Sequence, residues 1–174
     1  MKIIALSLFI NFIFCDYKID NSSSEVKYYG VHPLHEWSGT SSSIIISANC
    51  NEKNTICDLI FKVPIISLNS GNDNRDSNML KHLNAFTYPE IILEKKNVEI
   101  KEYSNSNIDC SLTINGKTKK TSIPLTVKKT TSTKYVISSR FNISLSDYEI
   151  ELPKLLFIPI EDKINIDVRL TVED

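Results

Sequence analysis

Glycine is scarce in this chain, four residues in 174, and alanine is scarce beside it. With so little glycine there is no Gly-rich phosphate loop, which excludes nucleotide binding of that kind. No paired-cysteine redox motif is present, and no Ser-His-Asp order supports a hydrolytic triad. Twenty basic residues face 21 acidic ones, and no basic stripe is interleaved with aromatics. Nucleic acid is therefore not an expected partner. Past the first fifteen residues, no apolar run is long enough for a membrane helix. Catalysis has no positive sign in the residues.

What is present begins with a leader-like segment. Met1 and Lys2 precede IIALSLFINFIFC, apolar from Ile3 to Phe14 apart from Ser7 and Asn11, and the polar DYKID follows. A short basic start with roughly 12 apolar residues is too short to span a bilayer and reads as a secretion signal. Residues 1–15 are expected to be a signal peptide, and residues 16–174 one exported domain, periplasmic or secreted. Ile13 and Cys15 are not the usual small pair of a cleavage site. The alternative is a lipoprotein anchored at Cys15, although the FIF before it lacks the small residues such a site wants. A single domain of this length buries about two-thirds of its unfolded surface.

Export changes how the cysteines read. In SANCNEKNTICDL the polar centre, Asn51 to Thr55, is flanked by β-type residues. A hairpin there would set Cys50 opposite Cys57, and an oxidising compartment favours a disulfide. Two unpaired thiols are the alternative, because spacing alone does not report the Cβ approach a bridge requires. The stretch supplies too few ligands for zinc. Cys110 falls on the apolar side of its strand and reads as inert core.

Strand signals are abundant. In KINIDVRLTV, Ile164, Ile166, Val168, Leu170 and Val172 alternate with polar residues, which gives one dry face and one wet one. NIDCSLTI repeats the pattern with Ile108, Cys110, Leu112 and Ile114. SIPLTV adds Ile123, Leu125 and Val127, and Asn115-Gly116 between these runs is a tight-turn signal. KYVISSRFNISLS places Tyr135, Ile137, Phe141, Ile143 and Leu145 together. EVKYYGV, SSIIISAN, TICDLIFKVPI and YPEIILEKKNVEI are also strand-like. About eight antiparallel strands with short links predict an all-β domain that closes as a barrel or stacks as a sandwich.

One segment breaks the period of two. In DSNMLKHLNAF, Met79, Leu80, Leu83 and Phe86 fall at helical intervals. A short helix is expected near Asp76 to Leu83, with Asp76 as N-cap and Arg75 pinning the loop. An EF-hand Ca²⁺ loop starting at Asn72 is excluded, because Leu83 stands where a carboxylate is needed. HPLHEWSGT offers His32, His35 and Glu36. The two imidazoles would diverge along an extended strand unless Pro33 turns the chain, and only His82 remains elsewhere, so no metal site is expected. Contact with a polar headgroup at a barrel mouth suits His32 and His35 better, with Trp37 as an amphipathic anchor or core plug.

These blocks, in this order, resemble the YceI-like family, exported lipocalin-like β-barrels that hold a polyisoprenoid lipid. YKIDNSSSEVKYYGV resembles the family's opening strand. SGNDNRDSNMLKHLNAFTYPEIILE resembles its most characteristic block, in which Arg-Asp begins a short helix and an aromatic-Tyr-Pro step leads to the next strand. CSLTINGKTKKTSIPLTV resembles its hairpin, and FNISLSDYEIELP its penultimate strand. Together they span nearly all of the chain past the leader. Leu145 and Glu149 stand where many members carry Arg and Gly, and Gly39 takes the place of a Gly usual in the His-containing segment.

The resemblance implies an antiparallel lipocalin-like barrel of about eight strands with one short helix. It also implies non-catalytic binding or carriage of one long apolar lipid, polyisoprenoid or quinone-like, with no cofactor besides such a lipid. The expected lining is Tyr28, Trp37, Met79, Leu83, Leu112, Ile123, Leu125, Phe141, Ile143, Ile166 and Val168. His32 and His35 would sit at the mouth, Arg75 and Asp76 in a structural loop, with peripheral membrane contact as a further expectation. A filled barrel acting as a protein-interaction or structural module in the cell envelope is the alternative. An enzyme using His32, His35 or His82 is the weakest reading.

Overall fold

The computed structural model describes residues 17–173, and the expected leader, residues 1–15 with Cys15, lies outside them. The strands are β1 (Lys18–Ile19), β2 (Glu25–His32), β3 (His35–Ser41), β4 (Ile45–Cys50), β5 (Ile56–Pro64), β6 (Glu90–Glu99), β7 (Tyr103–Ile114), β8 (Lys117–Lys129), β9 (Lys134–Ser144), β10 (Lys154–Leu155), β11 (Ile158–Pro159) and β12 (Lys163–Glu173). One helix, α1 (Asp73–His82), lies between β5 and β6. All pairings in the large sheet are antiparallel, in the order β3-β2-β12-β9-β8-β7-β6-β5-β4, with β1 also on β12. β10 and β11 form a separate small hairpin.

Register follows from the alternation. Ile166 of β12 lies opposite Tyr28 of β2 on one side and Phe141 of β9 on the other. A one-residue slip would turn every such side chain outward, so the dry face fixes the pairing. Asn115 and Gly116 join β7 to β8 with φ of 51° and 70°, the left-handed pair that a two-residue hairpin turn demands. Pro124, which has no N–H to give, sits in β8 just before the stretch Thr126–Lys129 that pairs with β9. A 3₁₀ turn, Leu145–Tyr148, follows β9, buries Leu145 and Tyr148 and packs against β8 and β9.

The sheet has one long strand more than the eight counted from sequence. The addition is β3, HEWSGTS, which has a single bulky β-former and no alternation for pattern reading to find. It forms because Pro33 and Leu34 reverse the chain, bringing His35 opposite His32 and Ser41 opposite Val26.

β3 and β4 are the two edges of the sheet, and only residues 42–44 join them, so the sheet must curl on itself. At one end β1 packs beside β4. Along the seam the chain between β5 and α1 takes the place of a paired strand. Thr40 N donates to Asn69 O (2.8 Å) and Asn69 N to Thr40 O (2.9 Å). The result is a barrel closed by a loop and a helix instead of a ladder.

The start of α1 corrects one expectation. Its N-cap is Asn72, whose side chain accepts from Arg75 N at 3.0 Å, and not Asp76. Asp73, Asn74 and Arg75 carry no apolar period, so the first turn was invisible to spacing. Asp76 instead folds back onto Ser70, accepting from its backbone N (3.1 Å) and its hydroxyl (2.6 Å). Arg75 donates from Nε to the same hydroxyl at 2.9 Å, and both residues thereby hold the loop that closes the seam.

Candidate functional site

The inward faces of the strands do not meet. They enclose a cavity of ≈ 490 Å³, within the range of small-molecule pockets. All eleven side chains read from the sequence as lining stand on its wall, from Tyr28 and Trp37 through Leu112 and Phe141 to Val168. Several others escaped that reading. Phe61 and Val63 of β5 and Ile91 and Leu93 of β6 belong to strands already recognised, and their alternation was the available signal. Leu145 also lies on the wall, where a charged residue would have had to be buried.

A second space of ≈ 320 Å³ continues toward the far end, past Ile46, Leu59, Ile108 and Val127. Phe61, Leu93, Ile123, Leu125 and Ile137 border both spaces. The two apolar spaces thus adjoin along the barrel, separated by no more than these shared side chains.

Two aromatic side chains shape the wall through the β2–β3 hairpin. Trp37 lies across Gly30, its register partner, and Tyr28 lies across Gly39. A Cβ on either glycine would collide with the opposing ring. The Tyr28 hydroxyl is buried and has no hydrogen-bond partner among the described residues. Burial pushes its phenol up to about 12, with the Asp76 carboxylate adding to the rise and Arg75 opposing it. It therefore stays protonated and can donate.

The mouth is polar. Asn72, the N-cap, and Arg75, Asn78 and His82 of α1 line it with His35 and Lys154. The Arg75 guanidinium lies 5.8 Å from the centre of the Trp37 ring, a cation–π contact that holds both at the rim. His32 and His35 do converge, their ring centroids 5.6 Å apart, because the Pro33–Leu34 turn makes them cross-strand neighbours.

Their roles differ. His32 is 2% exposed, accepts at Nδ1 from Leu34 N (3.2 Å) and donates from Nε2 to Ile158 O (3.2 Å). Both of its nitrogens are bonded to the framework, while His35 is exposed, and both residues line the cavity. Among the described residues, no group of three or more His, Cys, Asp or Glu converges as a metal would require. His82 donates from Nδ1 to Glu151 O at 3.0 Å.

The segment after the 3₁₀ turn reaches over the cavity and carried no sequence signal. Pro153, Lys154, Leu155 and Ile160, in and around the β10–β11 hairpin, line the mouth. Pattern reading missed this hairpin because its turn residues, Leu156 and Phe157, are bulky where glycine or asparagine is expected.

The cysteines lie apart from the mouth. Cys50 and Cys57 are register partners of β4 and β5 and are joined by a disulfide. Cys110 is a buried free thiol that donates to Thr121 O at 3.7 Å, and burial pushes its pKa up.

A curled antiparallel sheet around an apolar cavity, with one helix at the rim, defines a barrel of lipocalin type. A family model of the YceI-like domain matches residues 17–172, and the chain belongs to the YceI-like family. Solved structures similar to it include BcnA of Burkholderia cenocepacia, at 17% identity and a TM-score of 0.72 over 88% of this chain and 99% of that one. A polyisoprenoid binding domain from Saccharophagus degradans, implicated in plant cell wall breakdown, matches at 16% identity and a TM-score of 0.69, covering 90% of this chain and 97% of that one. A Campylobacter jejuni YceI protein matches at 17% identity and a TM-score of 0.60, covering 78% and 84%. No curated protein matches in sequence.

Proposed function

We propose that this protein is an exported, non-catalytic binder of one long apolar lipid of the polyisoprenoid or quinone-tail class. The observation that carries the reading is the open cavity with its apolar wall, which a filled interaction module would not contain. Each methylene moved from water to such a wall is worth about 0.8 kcal/mol, so an extended tail gains affinity without specific polar chemistry. The tail would lie along the two adjoining spaces, and the head would meet Arg75, Asn78 and His35 at the rim. Family membership and the polyisoprenoid binding relative support the ligand class.

Protein purified from its native host and extracted with organic solvent should release one prenyl lipid per chain by mass spectrometry. Protein that retains no lipid, and takes none up from membrane extracts, would return the filled barrel to first place.

A further inference from the structure

The tip of the β10–β11 hairpin presents four large apolar residues in a row to solvent. Leu155 and Ile158 are 45% and 42% exposed, Leu156 is 72% and Phe157 is 96%. The backbone bends to display them, with Leu156 at φ 51° and Phe157 at φ 69°. Bulky residues rarely adopt this left-handed region, and each does so at a cost. The hairpin is nevertheless held firmly. Ile160 N donates to Pro153 O across its base at 3.0 Å, Glu161 N donates to Val31 O at 2.8 Å, and His32 donates to Ile158 O. Those bonds tie it to the β2–β3 turn, where Leu34 is 61% exposed.

We infer that this tip docks the protein on a lipid bilayer and is the point through which the cavity exchanges its ligand, an inference whose second half rests on the lipid-binding reading above. Two features select a bilayer as the occupant. The patch is convex and consecutive, a wedge that suits the headgroup–acyl boundary, where apolar side chains bury about 5–10 Å deep. It is also continuous with the cavity, since Leu155 belongs to the exposed tip and to the lining, next to Lys154 at the rim. A lipid leaving the membrane along the hairpin would meet apolar surface from the acyl layer to the barrel interior.

The test uses purified protein and phosphatidylcholine vesicles, with and without a polyprenol in the bilayer. The variant is the double substitution Leu156→Asn, Phe157→Gly, which places turn-favoured residues at the left-handed positions and so preserves the hairpin. Wild-type protein should float with the vesicles, little affected by salt, and the variant should partition at least tenfold less. Polyprenol transfer from vesicles should slow by at least tenfold in the variant, while uptake from detergent stays unchanged. Wild-type protein that does not float, or a variant that floats and loads from vesicles equally well, would overturn the inference. If wild-type protein floats through the tip but takes up no polyprenol from detergent, docking stands and the lipid-binding reading falls.

Discussion

His32 and Ile158, 126 residues apart in the chain, are joined by a hydrogen bond from the imidazole Nε2 to the carbonyl oxygen. The same ring accepts the Leu34 N–H, so one neutral side chain sets the turn of the β2–β3 hairpin and latches the hairpin above the cavity. Replacing it by His32→Phe keeps the ring and removes both bonds. The change should cost about 0.5–1.5 kcal/mol for each of the two part-buried bonds it removes. Hydrogen exchange should accelerate over residues 153–161 and at Leu34 while the rest of the barrel keeps its protection. Uniform acceleration would mean that His32 acts on global stability alone.

Ligand affinity should depend on the wall far more than on the rim. Phe141→Ala, which pares a large apolar surface from the cavity, should weaken polyprenol binding by at least tenfold, whereas His35→Ala should change it by less than threefold. Circular dichroism must show both variants folded for the comparison to hold. Equal effects would move the recognition to the rim.

Filling the neck offers the complementary experiment. Leu125 borders both spaces. Leu125→Trp should occupy room that is open in the ligand-free barrel, leaving the unfolding free energy within about 1 kcal/mol of wild type. Lipid bound per chain should nevertheless fall sharply. A large loss of stability would mean that the neck is closed core.

The bridge between Cys50 and Cys57 closes a loop of sequence separation 7. Chain-entropy reasoning assigns such a loop about 2–3 kcal/mol. Replacing both cysteines by serine should lower the urea midpoint accordingly, and reducing agent should shift wild type but not the variant. Cys110 should label only on unfolding, because it is buried.

Acid should loosen the turn at Leu145–Tyr148. Asp162 accepts from the Ser146 hydroxyl (2.7 Å) and backbone N (2.8 Å), and these bonds hold its carboxyl below the usual aspartate range. A depressed folded pKa gives stability that is fully present above the unfolded value, about 4, and lost as pH falls through the folded one. Asp162→Asn should therefore be less stable than wild type at pH 7 in urea titrations, and the gap should close by pH 2–3. A gap independent of pH would assign the effect to packing.

Strict alternation made the long strands and the cavity wall legible. From Ile164 to Val172 each side chain's face follows from parity, and the wall is the sum of such faces. β3 was not legible, because Gly39 and three serines or threonines replace the apolar pattern, and its place depends on a turn and on aromatic rings crossing from the opposite strand. The latch was not legible for a different reason. His32 meets Ile158 only after the sheet has curled, a relationship that local sequence does not encode. Glu149 illustrates a third limit. It takes a left-handed φ of 54°, and its 2.7 Å ion pair with Lys117 could not be foreseen from either residue alone.

The seam between β3 and β4 is where widening the barrel would break few backbone hydrogen bonds. Elsewhere, widening the wall by one strand's width would tear a whole ladder. Here, among the described residues, two backbone hydrogen bonds between Thr40 and Asn69 span the join, with the Ser41–Ser67 hydroxyl contact (2.6 Å) and side chains of α1 and its loop beside them. A thicker chain, or one with a bulkier ring, is therefore expected to strain that join before the hydrogen-bonded staves on either side.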